Sequence, residues 1–86
     1  MYIKPTEGYT IYTKSLCPAC TEVKKLLPKA KYVNCDEYLE EVDDFLDFIW
    51  SLTDKTPSSF PMVFKDGVYV GGYKEVANTF SMEAEF

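Results

Sequence analysis

The sequence predicts a single α/β domain over residues 1–86, built on a mixed sheet of four strands with about three helices. Segments rich in β-branched and aromatic residues alternate with segments of helical periodicity, in the order β-α-β-α-β-β-α. An Asp66-Gly67 pair joins the last two strand-like segments, as in a tight hairpin. The length of 86 residues, 47% of them hydrophobic, allows one core and is too short for two ordinary domains.

The first half of the chain predicts a β-α-β crossover. Tyr9–Thr13 is β-branched and aromatic and follows a glycine, so it predicts the first strand. Pro18 suits the first turn of a helix, and Pro28 ends it. The apolar face of this helix has Cys20, Val23, Leu26 and Leu27. Lys31–Asn34 predicts the second strand, which a crossover places parallel to the first.

The second half predicts a helix, a hairpin and a closing helix. Apolar residues recur at steps of four and three, which predicts a helix with Tyr38, Val42, Phe45, Ile49 and Leu52 on one face. After a polar loop, Met62–Lys65 and Val68–Val70 predict the hairpin strands. Gly71-Gly72 is expected to end the last strand, and Tyr73–Phe80 to form the last helix. The aromatic residues expected in the core are Tyr12, Phe45, Trp50 and Phe64.

Composition argues against several kinds of partner. Acidic residues outnumber basic ones by 14 to 9, and the net charge is −5, which does not fit the basic surface of a nucleic-acid binder. No apolar stretch approaches the roughly 20 residues of a membrane span, and Met1–Gly8 has no apolar segment typical of a signal peptide. We therefore expect no nucleic acid and no membrane as partners.

The three cysteines indicate a reducing compartment. Small secreted disulfide scaffolds usually have an even number of cysteines, whereas this chain has Cys17, Cys20 and Cys35. We expect the protein in the cytoplasm, where a Cys-x-x-Cys pair is more often catalytic or metal-binding than structural. Cys35 has no basic neighbour and no helix start beside it, so we interpret it as a small buried residue, with a regulatory thiol as the alternative.

The Cys17-Pro-Ala-Cys20 segment carries the predicted chemistry. Cys17 lies where a strand gives way to a helix, and the unpaired N–H groups and dipole of a helix start favour a thiolate, which is the nucleophile. Lys14 adds a positive charge nearby. Cys20, one turn further on the apolar face, would resolve the intermediate. A zinc site needs a second ligand pair, but the chain has no histidine and one further cysteine, so we expect no metal.

Three features together resemble the glutaredoxin family of the dithiol Cys-Pro-x-Cys type. They are Lys14-x-x-Cys17-Pro-x-Cys20, a proline that opens the penultimate strand (Pro61), and Gly71-Gly72 after the last strand. The similarity runs from about residue 9 to residue 80. It implies a thioredoxin-like fold, a cis bond before Pro61, and a glutathione-dependent thiol–disulfide oxidoreductase. Its implied partners are glutathione and disulfide-containing or glutathionylated proteins, with ribonucleotide reductase as one candidate; we expect a monomer.

The resemblance also implies a glutathione site. The backbone of Phe60 would pair with the cysteinyl backbone of glutathione, and Lys14 would face the glycyl carboxylate. The N–H groups of Tyr73 and Lys74 would hold the γ-glutamyl carboxylate. The implied glutathione-binding residues are Lys14, Ala19, Phe60, Pro61, Gly71, Gly72, Tyr73 and Lys74.

Four positions differ from the usual family pattern. Ala19 replaces a tyrosine, Phe60 replaces a valine, and Ser58 replaces a basic residue for which Lys55 is a substitute. The acidic pair after Gly-Gly is replaced by residues 73–75, Tyr-Lys-Glu. Two alternatives therefore stay open: a thioredoxin-like reductase fed by a flavoprotein reductase, and an iron–sulfur carrier in which the first cysteines of two monomers and two glutathiones hold a [2Fe–2S] cluster.

Overall fold

The computed structural model of the protein describes residues 2–84 and contains a four-stranded sheet and three α-helices. The strands are β1 (Tyr9–Thr13), β2 (Lys31–Asn34), β3 (Met62–Lys65) and β4 (Val68–Gly71). The helices are α1 (Pro18–Leu26), α2 (Val42–Trp50) and α3 (Tyr73–Ala84), and a 3₁₀ helix (Asp36–Glu41) precedes α2. The element order confirms the predicted α/β fold.

The sheet is mixed, and its strand order is β2-β1-β3-β4. β1 pairs in parallel with β2 and antiparallel with β3, so that Tyr12 lies opposite both Val33 and Met62. β3 and β4 form the predicted antiparallel hairpin. Asp66 and Gly67 have φ values of 50° and 84°, which are the left-handed conformations that a tight two-residue hairpin turn requires.

Alternation along the strands divides the buried residues between the two faces of the sheet. The buried cluster between the sheet and α2 consists of Tyr12, Val33, Cys35, Phe45, Ile49, Met62 and Phe64. The buried cluster between the sheet and the helices α1 and α3 consists of Ile11, Val23, Val63 and Val76. This confirms the core positions predicted for Tyr12, Phe45 and Phe64. Phe80 lies in α3, and its side chain is outside the described residues.

The predicted second helix is divided in two, because the chain leaves helical geometry at Glu41, where φ is −130° and ψ is 63°. In one continuous α-helix, Tyr38 and Phe45 would be about 10 Å apart along the axis. The break allows their rings to stack with centroids 5.7 Å apart. Val42 follows the break and is exposed, contrary to its predicted place on the apolar face.

The core position predicted for Trp50 was wrong. Trp50 is 41% exposed rather than part of the core, and its indole N–H donates to the Pro57 carbonyl of the following loop at 2.7 Å. The glycine pair ends β4 as predicted, and Gly71, one residue beyond the predicted strand, is its last residue and pairs with Val63. None of the helices within residues 2–84 has the length and apolar character needed to cross a bilayer.

Candidate active site

Cys17 and Cys20 lie at the start of α1, beyond the carboxyl end of β1. They form a disulfide, with their Cα atoms 5.3 Å apart. Cys17 is the N-cap residue of α1, and its Sγ accepts a hydrogen bond from the Cys20 backbone N–H at 3.1 Å. The first turn of α1 has no acidic residue to oppose a negative charge on the sulfur. In the reduced protein, this donor and the helix dipole favour a thiolate at Cys17.

The two sulfur-bearing residues differ in accessibility. Cys17 is half-buried, whereas Cys20 is 3% exposed and lies on the buried side of α1 with Val23. An incoming disulfide therefore meets Cys17 first, while Cys20 is shielded behind it. This arrangement is the one required for attack by Cys17 and resolution by Cys20, and these roles stay predictions.

Two hydrogen bonds join the loop before Cys17 to the segment that follows β2. The Ser15 backbone N–H donates to Asp36 Oδ1 at 2.8 Å, and the Ser15 hydroxyl donates to Asp36 Oδ2. These hydrogen bonds lower the pKa of the Asp36 carboxyl from its ordinary value. Between this anchor and the N-cap, Leu16 has a left-handed backbone, with φ 56°, and an exposed side chain.

Lys14 and Phe60, two of the implied glutathione-binding residues, lie close together. The Lys14 Nζ is 5.9 Å from the centroid of the Phe60 ring. This ring stacks on Phe45, with centroids 6.0 Å apart and an interplanar angle of 12°, so the phenylalanine packs against the core. The Phe60–Pro61 peptide bond is cis, as the resemblance implies.

The glycine pair brings the end of β4 against the start of β3. A Cβ atom on Gly72 would lie 3.4 Å from the Pro61 carbonyl oxygen, which shows how closely the two backbones approach. Gly71 has a φ of 141°, and a Cβ atom there would lie 2.6 Å from Glu75 Cγ, so a larger residue does not fit. The structure therefore places Gly72 next to Pro61.

The start of α3 already has a carboxylate from the protein itself. Glu75 Oε1 accepts a hydrogen bond from the Gly72 backbone N–H at 2.7 Å. Tyr73 and Lys74, which were predicted to hold a glutathione carboxylate, are exposed in the first turn of this helix. The Gly72 N–H, next to the implied site for a glutathione carboxylate, is therefore already hydrogen-bonded to Glu75.

The remaining predicted positions lie on the surrounding elements. Ala19 is half-buried as the second residue of α1. Ser58 and Lys55 are both exposed in the loop between α2 and β3. The contacts therefore link Lys14 with Phe60, and Gly72 with Pro61, whereas Ala19 and Lys74 are placed by their helices alone.

Cys35 is a buried free thiol outside the redox pair. Burial raises its pKa to about 12, and its Sγ lies 3.5 Å from the Val33 carbonyl oxygen. The interpretation of Cys35 as a small core residue is confirmed. The prediction that no helix starts beside it was wrong, because Cys35 directly precedes the 3₁₀ helix, but its side chain makes no capping hydrogen bond there. Within residues 2–84, no group of three or more histidine, cysteine or acidic side chains is placed to hold a metal ion.

Three features around the site were not predicted from the sequence. Glu75 follows Gly72 at the spacing of a capping box, so its contact had a sequence signal. The Ser15–Asp36 contact joins residues 21 positions apart and has no such local signal. Leu16 resembles any other apolar residue until its exposure is known.

Comparison with solved structures finds glutaredoxins. Oxidized glutaredoxin 2 from Chlamydomonas reinhardtii is 26% identical, with a TM-score of 0.71 over 87% of this chain and 72% of its own. Glutaredoxin 1 from Francisella tularensis, complexed with cacodylate, is 21% identical, with a TM-score of 0.69 over 92% and 98% of the two chains. The buckwheat glutaredoxin–glutathione complex is 22% identical, with a TM-score of 0.70 over 87% and 69%.

The sequence comparisons give one match. No curated protein matches the chain. The family model for glutaredoxin matches residues 9–70, which include the cysteine pair, the cis proline and all but the last residue of the hairpin. Membership together with the close Cys17–Cys20 pair supports thiol–disulfide oxidoreductase activity. The chain therefore belongs to the glutaredoxin family, with the thioredoxin-like fold that its structural neighbours share.

Proposed function

We propose that the protein is a glutathione-dependent oxidoreductase that reduces protein disulfides and glutathione mixed disulfides. The position of Cys17 Sγ as the N-cap acceptor of α1, in front of the buried Cys20, carries this proposal. The odd cysteine count supports a reducing compartment such as the cytoplasm as its location.

With a glutathione mixed disulfide, a single cysteine is sufficient. The Cys17 thiolate attacks the glutathione sulfur, the new S–S bond forms on Cys17, and the protein thiolate leaves and is protonated. A second glutathione thiolate then attacks the bound glutathione sulfur. Oxidised glutathione leaves, and Cys17 returns to the thiolate that its helix start favours.

With a protein disulfide, both cysteines take part. The Cys17 thiolate attacks one substrate sulfur and displaces the other as a thiolate, which gives a mixed disulfide between the two proteins. Cys20 loses its proton and attacks Cys17 Sγ, so that the substrate leaves fully reduced and the Cys17–Cys20 disulfide forms. Two glutathione molecules restore the dithiol. Ribonucleotide reductase is an acceptor that only the family resemblance supports.

Glutathione as the reductant is supported by the neighbour solved with glutathione bound. It is also supported by the position of Lys14 beside Phe60, and by the exposed first turn of α3 at Tyr73 and Lys74. A cationic side chain and backbone N–H groups suit the two carboxylates of glutathione.

The test compares Cys17→Ser and Cys20→Ser in an assay with glutathione, a glutathione reductase and a small mixed disulfide. Cys17→Ser should lose turnover, whereas Cys20→Ser should retain it with this substrate and lose reduction of a protein disulfide. Cys35→Ser is the matched control and should keep both activities. Full turnover by Cys17→Ser would contradict the proposal.

A second candidate differs in the electron donor. The Glu75 carboxylate already accepts the Gly72 N–H next to the implied glutathione site, which favours a thioredoxin-like reductase fed by a flavoprotein reductase. Turnover with a thioredoxin reductase, and none with glutathione, would decide for it. Anaerobic reconstitution with iron and sulfide tests the iron–sulfur alternative, since a bound cluster absorbs visible light.

A further inference from the structure

Leu16 is the most exposed of the large apolar residues in the described part of the chain. Its side chain is 99% exposed, and it directly precedes Cys17. Pro18, on the other side of Cys17, is also exposed. We call these two residues the Leu16 patch. Nothing in the fold requires a leucine here, because the side chain makes no contribution to either buried cluster.

The backbone at Leu16 is unfavourable for a leucine as well. Its φ of 56° lies in the left-handed region, where glycine and asparagine are the usual residues. The conformation is imposed from both sides, by the Ser15 hydrogen bonds to Asp36 and by Cys17 as the N-cap of α1. An exposed apolar side chain thus stands on a strained backbone position, and such backbone strain is concentrated at functional sites.

The occupant of this patch follows from its distance to the reactive sulfur. Consecutive Cα atoms are about 3.8 Å apart, and disulfide-linked cysteines have their Cα atoms about 4.4–6.8 Å apart. A polypeptide joined to Cys17 in the mixed disulfide therefore brings its own neighbouring residues within reach of Leu16. The patch is continuous with the surface that any substrate of Cys17 must cover.

We propose that Leu16 is a specificity-determining residue, which contacts an apolar side chain next to the reacting cysteine of a polypeptide disulfide. This inference rests on the proposed function of Cys17. The contact forms in the step in which Cys17 Sγ bonds to one substrate sulfur and the other leaves as a thiolate. A small disulfide without flanking residues does not reach the patch, so its reaction is independent of Leu16.

The experiment measures the oxidation of pre-reduced protein by stopped flow, without glutathione. One substrate is a short peptide with an intramolecular disulfide in which each cysteine is followed by leucine; the second has serine at both positions. The third is hydroxyethyl disulfide, which has no flanking residues. Wild type should react with the leucine peptide about tenfold faster than with the serine peptide, the order expected for partial burial of one leucine.

Two variants of Leu16 and one control variant test its role in substrate preference. Leu16→Asn removes the apolar surface but tolerates the left-handed backbone, and it should bring the ratio between the two peptides to about one. Leu16→Met should keep the preference. Val68→Thr is the control, because Val68 is 68% exposed at the far end of β4. Rates with hydroxyethyl disulfide, and the pH dependence of Cys17 alkylation, should be the same in all of them.

The outcomes separate this inference from the proposed function. An equal peptide ratio in wild type and Leu16→Asn overturns the inference while leaving the role of Cys17 intact. A loss of rate that includes hydroxyethyl disulfide also overturns it, because it shows an effect on the sulfur rather than on the substrate. Failure of the proposed function would appear instead as Cys17→Ser protein that is oxidised by all three disulfides as fast as wild type.

Discussion

At the scale of single residues, Cys17 and Cys35 are two cysteines in opposite surroundings. Cys17 is half-buried at the start of α1, where its Sγ accepts a backbone N–H. Cys35 is fully buried against Val33 and Phe45 in the core on the α2 side. Accessibility and hydrogen bonding, rather than residue type, therefore separate a reactive cysteine from an inert one.

Selective alkylation checks this difference. We expect iodoacetamide at pH 8 to modify Cys17 of the reduced, folded protein and to leave Cys35 unmodified. Because burial raises the pKa of Cys35 to about 12, this thiol stays protonated in the folded protein at that pH. Mass spectrometry of the digested protein gives the extent at each site. Unfolding in urea should expose Cys35 to the reagent; equal labelling in the folded state would contradict its inert role.

At the scale of elements, the Ser15–Asp36 contact joins the redox loop to the end of β2. Hydrogen bonds from Ser15 hold the pKa of the folded Asp36 carboxyl below its ordinary value of 3.8. Its contribution to stability is therefore complete above that ordinary value, and it is lost as the pH falls through the lower, folded value.

Asp36→Asn should consequently lower the free energy of unfolding at pH 7, and the difference from wild type should shrink below pH 3.8. Urea unfolding at pH 7 and at a pH below 3.8 measures the free energy of unfolding of both proteins. Asp54→Asn removes the same charge from an exposed loop and serves as the matched control. A difference between Asp36→Asn and wild type that is the same at neutral and acidic pH would show that the carboxylate is not the group responsible.

The start of α3 depends on Glu75, whose carboxylate accepts the Gly72 N–H. Glu75→Ala removes this cap and should lower the free energy of unfolding by about 0.3–1.5 kcal/mol. Glu75→Gln retains an acceptor oxygen and should lose less, since an amide carbonyl can accept the same hydrogen bond. Urea unfolding measures the loss of unfolding free energy in each variant. Equal losses would show that the negative charge of Glu75, rather than its hydrogen bond, is responsible.

The order of elements could be predicted from the sequence because its signals are local. Thr10 to Tyr12 alternate across the sheet, and Asp66-Gly67 specifies its own turn. The break at Glu41 could not be predicted, since the stacking of Tyr38 on Phe45 that accompanies it is a three-dimensional contact without a local sequence signal. Asp36 reaches Ser15 only after β2 has paired with β1, so that part of the site had no local signal.

At the scale of the whole molecule, an aromatic cluster occupies the core on the α2 side. Phe45 is fully buried at its centre and contacts the rings of Tyr2, Tyr12, Tyr38, Phe48 and Phe60. The contact with Phe60 extends this core to the residue before Pro61. Core packing and the geometry of the candidate site are thus connected through one ring.

Phe45→Ala should therefore lower the free energy of unfolding by about 3–5 kcal/mol, a large part of the roughly 5–15 kcal/mol of a typical domain. Chemical unfolding in urea gives the value. Val68→Ala, at a position that is 68% exposed, should change it by less than about 0.5 kcal/mol. A small loss for Phe45→Ala would mean that its neighbours close the cavity.

The hydrogen bond from Trp50 to Pro57 gives the protein an optical probe of its own. Trp50 is the one tryptophan in the sequence, and its indole is tied to the loop that leads to Phe60 and Pro61. Indole emission depends on polarity and hydrogen bonding around the ring, so selective excitation observes this loop without any label. Changes in the loop during the redox cycle can then be followed in real time as a change in fluorescence.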